Sequence, residues 1–117
     1  MSVSINKTLL VGRVGKYPFV MRALPNGTPV ARGSIVVAEP CRDGRQFETF
    51  IAVHVHGQHA EAATTLRLGQ PIMVDGKLAK HKAKDGSYET IVACYRVQVL
   101  GSATVPVTLT DDMEMQQ

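Results

Sequence analysis

Hydrophobic and polar residues alternate along five segments of this chain, and alternation with a period of two predicts β-strands. The predicted strands cover residues 8–14, 30–39, 46–56, 72–78 and 91–99. Residues 17–22 are expected to continue the first strand past a kink. Turn-forming residues separate the strands, and the clearest of them are Asn26-Gly27, Asp43-Gly44 and Asp85-Gly86.

The third strand, residues 46–56, has the clearest alternation and predicts two different faces. One face carries Phe47, Thr49, Ile51, Val53 and Val55 and is expected to lie in the core. The other face carries Glu48, Phe50, Ala52, His54 and His56. An aromatic ring and two imidazoles therefore stand where a water-facing surface would usually carry charge.

One segment has helical rather than strand spacing. Residues 58–66 place Ala60, Ala63 and Leu66 on one side of a short helix, and Gly69 provides a stop signal. Five strands with a short helix between the third and the fourth are the arrangement of the OB-fold, a five-stranded Greek-key barrel. The predicted class is therefore all-β, and this fold commonly binds oligonucleotides across strands 2–3 and through the loops joining strands 1–2 and 4–5.

Positive charge is concentrated in residues 77–88, which we call the basic finger. It contains Lys77, Lys80, Lys82 and Lys84 together with His81, and Asp85-Gly86 closes it as a hairpin. The positive charges at this tip repel one another. Binding of a polyanion therefore explains the lysine cluster better than a contribution to stability does. The alternative is a merely solvated hairpin. The position between strands 4 and 5 favours phosphate binding by the four lysines.

The charge balance divides the 117 residues into two parts. All 13 Lys and Arg and seven acids precede residue 102, which gives this part a charge of +6, whereas three acids give the last 16 residues a charge of −3. We expect one domain over residues 1–101 and a short, disordered acidic tail over 102–117. The chain has neither an apolar run of membrane-spanning length nor a signal-peptide core, which favours a cytoplasmic location.

Metal binding and catalysis have little support in the sequence. His54, His56 and His59 raise the question of a metal site, but no cysteine or carboxylate cluster completes four ligands. Cys41 and Cys94 are expected to be free thiols, with Cys94 buried. No nucleophile motif or phosphate-binding glycine loop is present. We therefore expect no enzyme activity, no metal and no cofactor.

Four stretches of the chain resemble bacterial single-stranded DNA-binding proteins. They are INKTLLVGRVG at residues 5–15, PNGTPVA at 25–31, GQHAE at 57–61 and VDGKL at 74–78. The resemblance covers residues 5–101 in order. The tip HKAKDG at 81–86 is more similar to primosomal replication protein N (the PriB type), a dimeric relative that helps to restart replication forks. Both resemblances imply an OB-fold that binds single strands.

The sequence also departs from that family. In its tetrameric members several aromatic residues, mostly tryptophans, stack on bases, and the corresponding positions here are Cys41, Phe50, His56 and Ala83. The resemblance implies that Phe50 is a stacking platform and that His56 is a weaker one. Each such base contributes about 1–3 kcal/mol, so that electrostatics carries a larger share here. Members of that family also carry an acidic tip, and residues 111–117 of this chain are at most a degenerate version of it.

Two functions remain open at this point. The first is non-enzymatic, largely sequence-independent binding of single-stranded DNA by a homo-oligomer, in replication, recombination and repair. The alternative is a primosome adaptor that links single-stranded DNA to a replication-restart helicase or helicase loader. A dimer would favour the adaptor and a tetramer the coating protein.

Tyr88 is a further candidate for stacking, and the candidates for backbone contacts are Arg13, Arg32 and Arg96.

Overall fold

The computed structural model describes residues 3–16 and 18–101. Its elements are β1 (Thr8–Val14), β2 (Val20–Ala23), β3 (Pro29–Pro40), β4 (Gln46–His56), α1 (Gln58–Ala63), β5 (Pro71–Lys82) and β6 (Tyr88–Val99). The five predicted strands correspond to β1, β3, β4, β5 and β6, with the helix between the third and the fourth. Tyr17 and the predicted tail, 102–117, lie outside the described residues.

The strands form one sheet that closes on itself. Their order is β1-β5-β6-β4-β3-β2, and an additional pairing of β1 with β3 closes five of them into a barrel. Neighbouring strands are antiparallel except β4 and β6, which are parallel where Val53 lies opposite Val92. The all-β OB-fold class predicted from the alternation is confirmed.

The segment after β1 differs from the prediction. β2 does not continue β1 but is a separate strand that pairs with the start of β3, with Val20 opposite Arg32. The chain leaves the sheet in between because Phe19 turns into the core, where it is 4% exposed. Its ring packs on Gly33, and a Cβ atom there would collide with it.

The core fills the barrel and extends under α1. Its largest fully buried side chains include Val14, Ile35, Val53, Val55, Ile72, Val74, Val92 and Cys94. The predicted burial of Cys94 is confirmed, whereas the prediction for Phe47 is wrong because 61% of this residue is exposed. The β3–β4 hairpin extends past the barrel, with Glu39 opposite Phe47, so that its outer end has no core to enter.

Helix α1 is shorter than predicted. It ends at Ala63 because the hydroxyls of Thr64 and Thr65 donate to the carbonyls of Glu61 and Ala62, and this bonding competes with helix continuation. The predicted core side is nevertheless correct, since Ala60, Ala63 and Leu66 are all buried. No helix in the described ranges is long and apolar enough to span a membrane.

Three hairpins close through turns of the same geometry. In the basic finger, the Gly86 N–H donates to the Ala83 carbonyl at 3.0 Å, and the Asp85 carboxylate accepts from the Ser87 backbone N–H at 2.9 Å. Gly86 has a φ of 90°, a left-handed conformation that glycine adopts without strain. The turns at Asn26-Gly27 and Asp43-Gly44 repeat these bonds. The predicted Asn-Gly and Asp-Gly turns are confirmed.

Candidate nucleic-acid interface

The second and third predicted strands, β3 and β4, carry polar, aromatic and small apolar side chains on the side of the sheet that faces away from the core. We call this surface the outer face, and it consists of Arg32, Ser34, Val36, Phe50, Ala52, His54 and His56. The register places Arg32 opposite His54 and Val36 opposite Phe50. Phe50 is 62% exposed and His56 is also exposed. An exposed ring suits stacking on a nucleobase, and Arg32 adds a positive charge to the same face.

His54 differs from the rest of the outer face because it is buried, with only 7% of its surface exposed. Burial, followed by the nearby charges of Arg32, His81 and His56, lowers its pKa from 6.5 to about 4. His54 is therefore a neutral imidazole at physiological pH. A neutral imidazole offers one hydrogen-bond donor and one acceptor.

The basic finger is packed onto the barrel through His81. The imidazoles of His54 and His81 meet edge to face, with 4.9 Å between ring centroids and 76° between the ring planes. Ile91 and Ala93, on the same side of the finger as His81 by alternation, are 3% and 9% exposed. The base of the finger therefore lies against the outer face rather than standing free in solvent.

Two further contacts fix the start of the finger. The Asn6 side-chain amide pairs with the backbone of Leu78, donating to its carbonyl at 2.8 Å and accepting from its N–H at 2.9 Å. Between Asp75 and Gly76 the register with β6 shifts past Tyr95, the extra residue of a bulge, and Gly76 lies so close to the backbone of Ala93 that a Cβ atom would not fit. The bulge and the amide pairing set the direction in which the finger leaves the barrel.

Polar atoms on the outer face remain without partners. Arg32 Nε and Ser34 Oγ are buried and make no hydrogen bond within the described part of the chain. They are two residues apart on β3 and therefore share a face. A buried polar group without a partner costs about 1–3 kcal/mol, and a polar ligand that reached these atoms would recover part of that cost.

The finger lysines are all exposed, but they do not share one face. Lys77 and His81 lie on the side that packs against the outer face, whereas Lys80 and Lys82 lie on the opposite side. Lys84 lies in the turn. Tyr88 faces the same way as Lys82, its partner in the register, and the Lys80 ammonium lies 5.9 Å from its ring centroid.

Two of the predicted arginine contacts lie apart from these groups. Arg13 donates to the Gly69 carbonyl at 2.8 Å, which ties its guanidinium to the loop between α1 and β5. Arg96 lies opposite Asp75, in register with β1 at Leu9. The structure thus groups Arg32, Phe50 and His56 on the outer face and Lys77, Lys80, Lys82, Lys84 and Tyr88 on the finger.

Sequence reasoning missed the pairing of His54 with His81. The sequence did indicate that His54 belongs to this surface, because His54 shares a strand face with Phe50 and His56. Which residue of the finger covers it follows from the pairing of β6 with both β4 and β5, and the alternation does not reveal that pairing. In the described ranges no group of three or more His, Cys, Asp and Glu side chains is placed to hold a metal ion.

A closed OB barrel with an exposed ring and a basic hairpin over one face has the form of a single-strand-binding module. Comparison with known protein families agrees with this class. A model of the single-strand binding protein family matches residues 5–101. The chain belongs to this family, as its motifs indicated, and membership implies binding of single-stranded DNA.

Proposed function

We propose that this protein is a non-enzymatic, largely sequence-independent binder of single-stranded DNA that serves replication, recombination and repair. The observation that carries the proposal is the exposed Phe50 ring on the outer face, which also carries Arg32 and onto which the basic finger packs through His81. Phe50 stacks on a base, His56 gives weaker stacking, and Arg32 and the finger lysines hold the backbone. Every base has a π-face, so that this mode of binding tolerates any sequence.

Electrostatics carries much of the binding in this proposal. Of the four positions where relatives carry stacking rings, Cys41, His56 and Ala83 are not full aromatics. The finger supplies four lysines and contains one acid, Asp85, whose carboxylate is engaged by Ser87. In a plot of the logarithm of affinity against the logarithm of salt concentration, each phosphate that the protein neutralises makes the slope steeper by about 0.7.

Self-association is a further part of the proposal. Over residues 8–12, β1 pairs with β5 on one side, and its pairing with β3 begins at Arg13. Leu9 and Val11 on this strand are 58% and 56% exposed. An unpaired strand edge with apolar side chains can pair with a strand of another chain. We therefore expect β1 of a second copy of the protein to pair with this edge.

The test uses a labelled single strand and the matched duplex, each titrated at two salt concentrations, with the mass of each complex measured. We expect a strong preference for the single strand, an affinity that falls steeply with salt, and a protein that is at least dimeric. Equal affinity for single strand and duplex would contradict the proposal.

The second candidate is the adaptor that links single-stranded DNA to a replication-restart helicase or its loader. The scarcity of rings on the outer face favours it, because weak DNA binding suits a protein whose main partner is another protein. The masses from the same titration discriminate between the two candidates. A dimer that does not coat long strands supports the adaptor, and a tetramer that coats them supports the first function.

A further inference from the structure

Strand β2 forms one edge of the sheet. It stands last in the order β1-β5-β6-β4-β3-β2, and among the described strands it pairs only with β3. All four of its residues, Val20–Ala23, are exposed. The N–H and C=O groups on the outer side of an edge strand can bond an extended segment of another chain.

The pairing with β3 shows which backbone groups of β2 point away from the sheet. In the turn that follows β2, the Leu24 N–H donates to the Thr28 carbonyl at 2.9 Å. Hydrogen-bonded and non-bonded pairs alternate along an antiparallel ladder, so that Arg22, two residues earlier, also bonds towards β3. Met21 and Ala23 therefore direct their N–H and C=O groups to the open edge.

A groove lies beside this edge, between β2 and the start of α1. We call it the β2–α1 groove. Its lining is largely apolar, it offers about 470 Å³ of space, and it consists of Met21, Pro29, Gly57, Gln58 and Glu61. The Gly57 N–H donates to the Pro29 carbonyl at 3.2 Å, which holds the start of α1 against the start of β3. A Cβ atom at Gly57 would meet nothing within 4 Å, so that the groove has room for an apolar side chain.

The open edge and the groove are related by the geometry of the sheet. Residues directly opposite each other on paired strands have their side chains on the same face. Met21 lies opposite Ala31, which is fully buried, so that the Met21 side chain is on the core side of the sheet. A residue of an added strand that bonds the Met21 backbone would direct its own side chain to this side, into the groove.

The charge at the groove indicates which kind of segment fits it. Glu61 is the charged residue of the lining, it is exposed, and it has no ion-pair partner in the described part of the chain. Its carboxylate favours a lysine or an arginine near the inserted apolar side chain. Residues 102–117 of this chain contain three acids and neither lysine nor arginine, so that their charge does not suit the groove.

We propose that the edge of β2 and the β2–α1 groove form a docking site for a partner protein. The partner adds an extended segment to β2, inserts an apolar side chain beside Met21, and pairs a lysine or an arginine with Glu61. In this mode of recognition main-chain bonds supply affinity and the side-chain pocket supplies specificity. Arg32 and the outer face lie on the other side of the sheet, so that the site goes beyond the proposed function and does not require DNA.

The probe is a labelled, capped peptide of about seven residues, with a central leucine and a lysine two positions to each side, separated by threonines, so that leucine and lysines share one face. Its binding to the full chain is measured by fluorescence anisotropy and by NMR of labelled methionine methyl groups. Met21→Leu assigns the Met21 resonance. We expect this resonance to shift and that of Met73, on β5, to stay in place.

A charge swap tests the pairing with Glu61. Glu61→Lys should lower the affinity for the lysine peptide roughly 3- to 30-fold, because it replaces an attraction with a repulsion. A peptide with glutamates in place of the lysines should shift the Met21 resonance only in this variant. Glu39→Lys, at an exposed acid on the outer end of the β3–β4 hairpin, is the control and should keep the affinity for the lysine peptide within about twofold.

A proline tests the main-chain bonds. Ala23→Pro removes an N–H that points to the open edge and breaks no bond to β3, a position at which an edge strand tolerates proline. This variant should bind the lysine peptide several-fold more weakly, with little change in its unfolding temperature. Unaltered affinity would overturn the strand addition.

Three further outcomes would overturn the docking site. The first is an unmoved Met21 resonance with the lysine peptide, and the second is an equal loss of affinity in Glu61→Lys and Glu39→Lys. The third is a different occupant, shown if a peptide of residues 102–117 shifts the Met21 resonance or if Glu61→Lys changes the mass of the protein in light scattering. Failure of the proposed function is distinguishable, because it concerns a labelled DNA strand and leaves the Met21 resonance unaffected.

Discussion

The burial of His54 makes the stability of this protein depend on pH in a defined window. Its pKa is about 4 in the folded protein and near 6.5 in an unfolded chain. Between these values the unfolded chain binds one more proton, so that the free energy of unfolding falls as the pH falls from 6.5 towards 4. The full loss is on the order of 3 kcal/mol.

Denaturant unfolding of the protein across pH 4–7 measures this loss. His54→Gln should remove most of the pH dependence, and His56→Gln, the control at an exposed imidazole of the same strand, should retain it. The low pKa values of Asp43 and Asp85, which come from hydrogen bonds with Arg45 and Ser87, act at lower pH. A flat profile in the unaltered protein would contradict the burial of a neutral His54.

Phe50 is the residue at which the proposed stacking is most directly tested. Phe50→Ala should weaken binding of single-stranded DNA by about 1–3 kcal/mol, since it removes one stacking platform. Phe47→Ala deletes a ring of the same exposure on the opposite face of the same strand. Titration of a labelled strand should show almost no change for Phe47→Ala, and equal losses at both positions would argue against the outer face.

At the scale of elements, the finger lysines are expected to set the salt dependence of binding. Reversing charge at Lys82 and Lys84 should weaken binding of single-stranded DNA and flatten its dependence on salt, because fewer phosphates are neutralised. Affinity is measured at several salt concentrations for each variant. Arg67→Glu, an exposed charge reversal after α1, is the control and should leave the slope unchanged.

The elements also show what the sequence was able to predict. Alternation located β3 and β4 to within one residue of their observed ends, because both strands have one apolar face over much of their length. It failed at Phe47, since an alternating pattern does not reveal where a hairpin leaves the barrel. It also did not separate β2 from β1, because the inward turn of Phe19 depends on the space left by Gly33, fourteen residues later.

At the scale of the whole molecule, the exposed edge of β1 predicts association of copies. Replacing Leu9 and Val11 with Glu should dissociate the oligomer, because like charges would face each other along the paired strands. Sedimentation or light scattering measures the mass. Thr28→Glu, in the turn between β2 and β3, adds a charge away from this edge and should leave the mass unchanged.

Candidate residues could be found from the sequence, but their grouping could not. Alternation alone places Lys80 and Lys82 on one side of β5. That Tyr88 stands beside Lys82, and that His81 meets His54, follows from the pairing of β6 with both β5 and β4. The separation of Arg96 from Phe50 likewise depends on barrel closure. Pairings between distant strands are invisible to local patterns, and they decide which side chains meet.

The three matching turns also bear on the order in which the barrel forms during folding. Each turn joins neighbouring strands through a few residues, and hairpins of this kind form in about 1–10 μs. Closing β1 against β5 instead brings together residues such as Lys7 and Asp75, which are 68 positions apart, and long loops slow such a step. We therefore expect Gly86→Ala to slow refolding, and Leu10→Ala, on the β1–β5 seam, mainly to speed unfolding, as stopped-flow kinetics would measure.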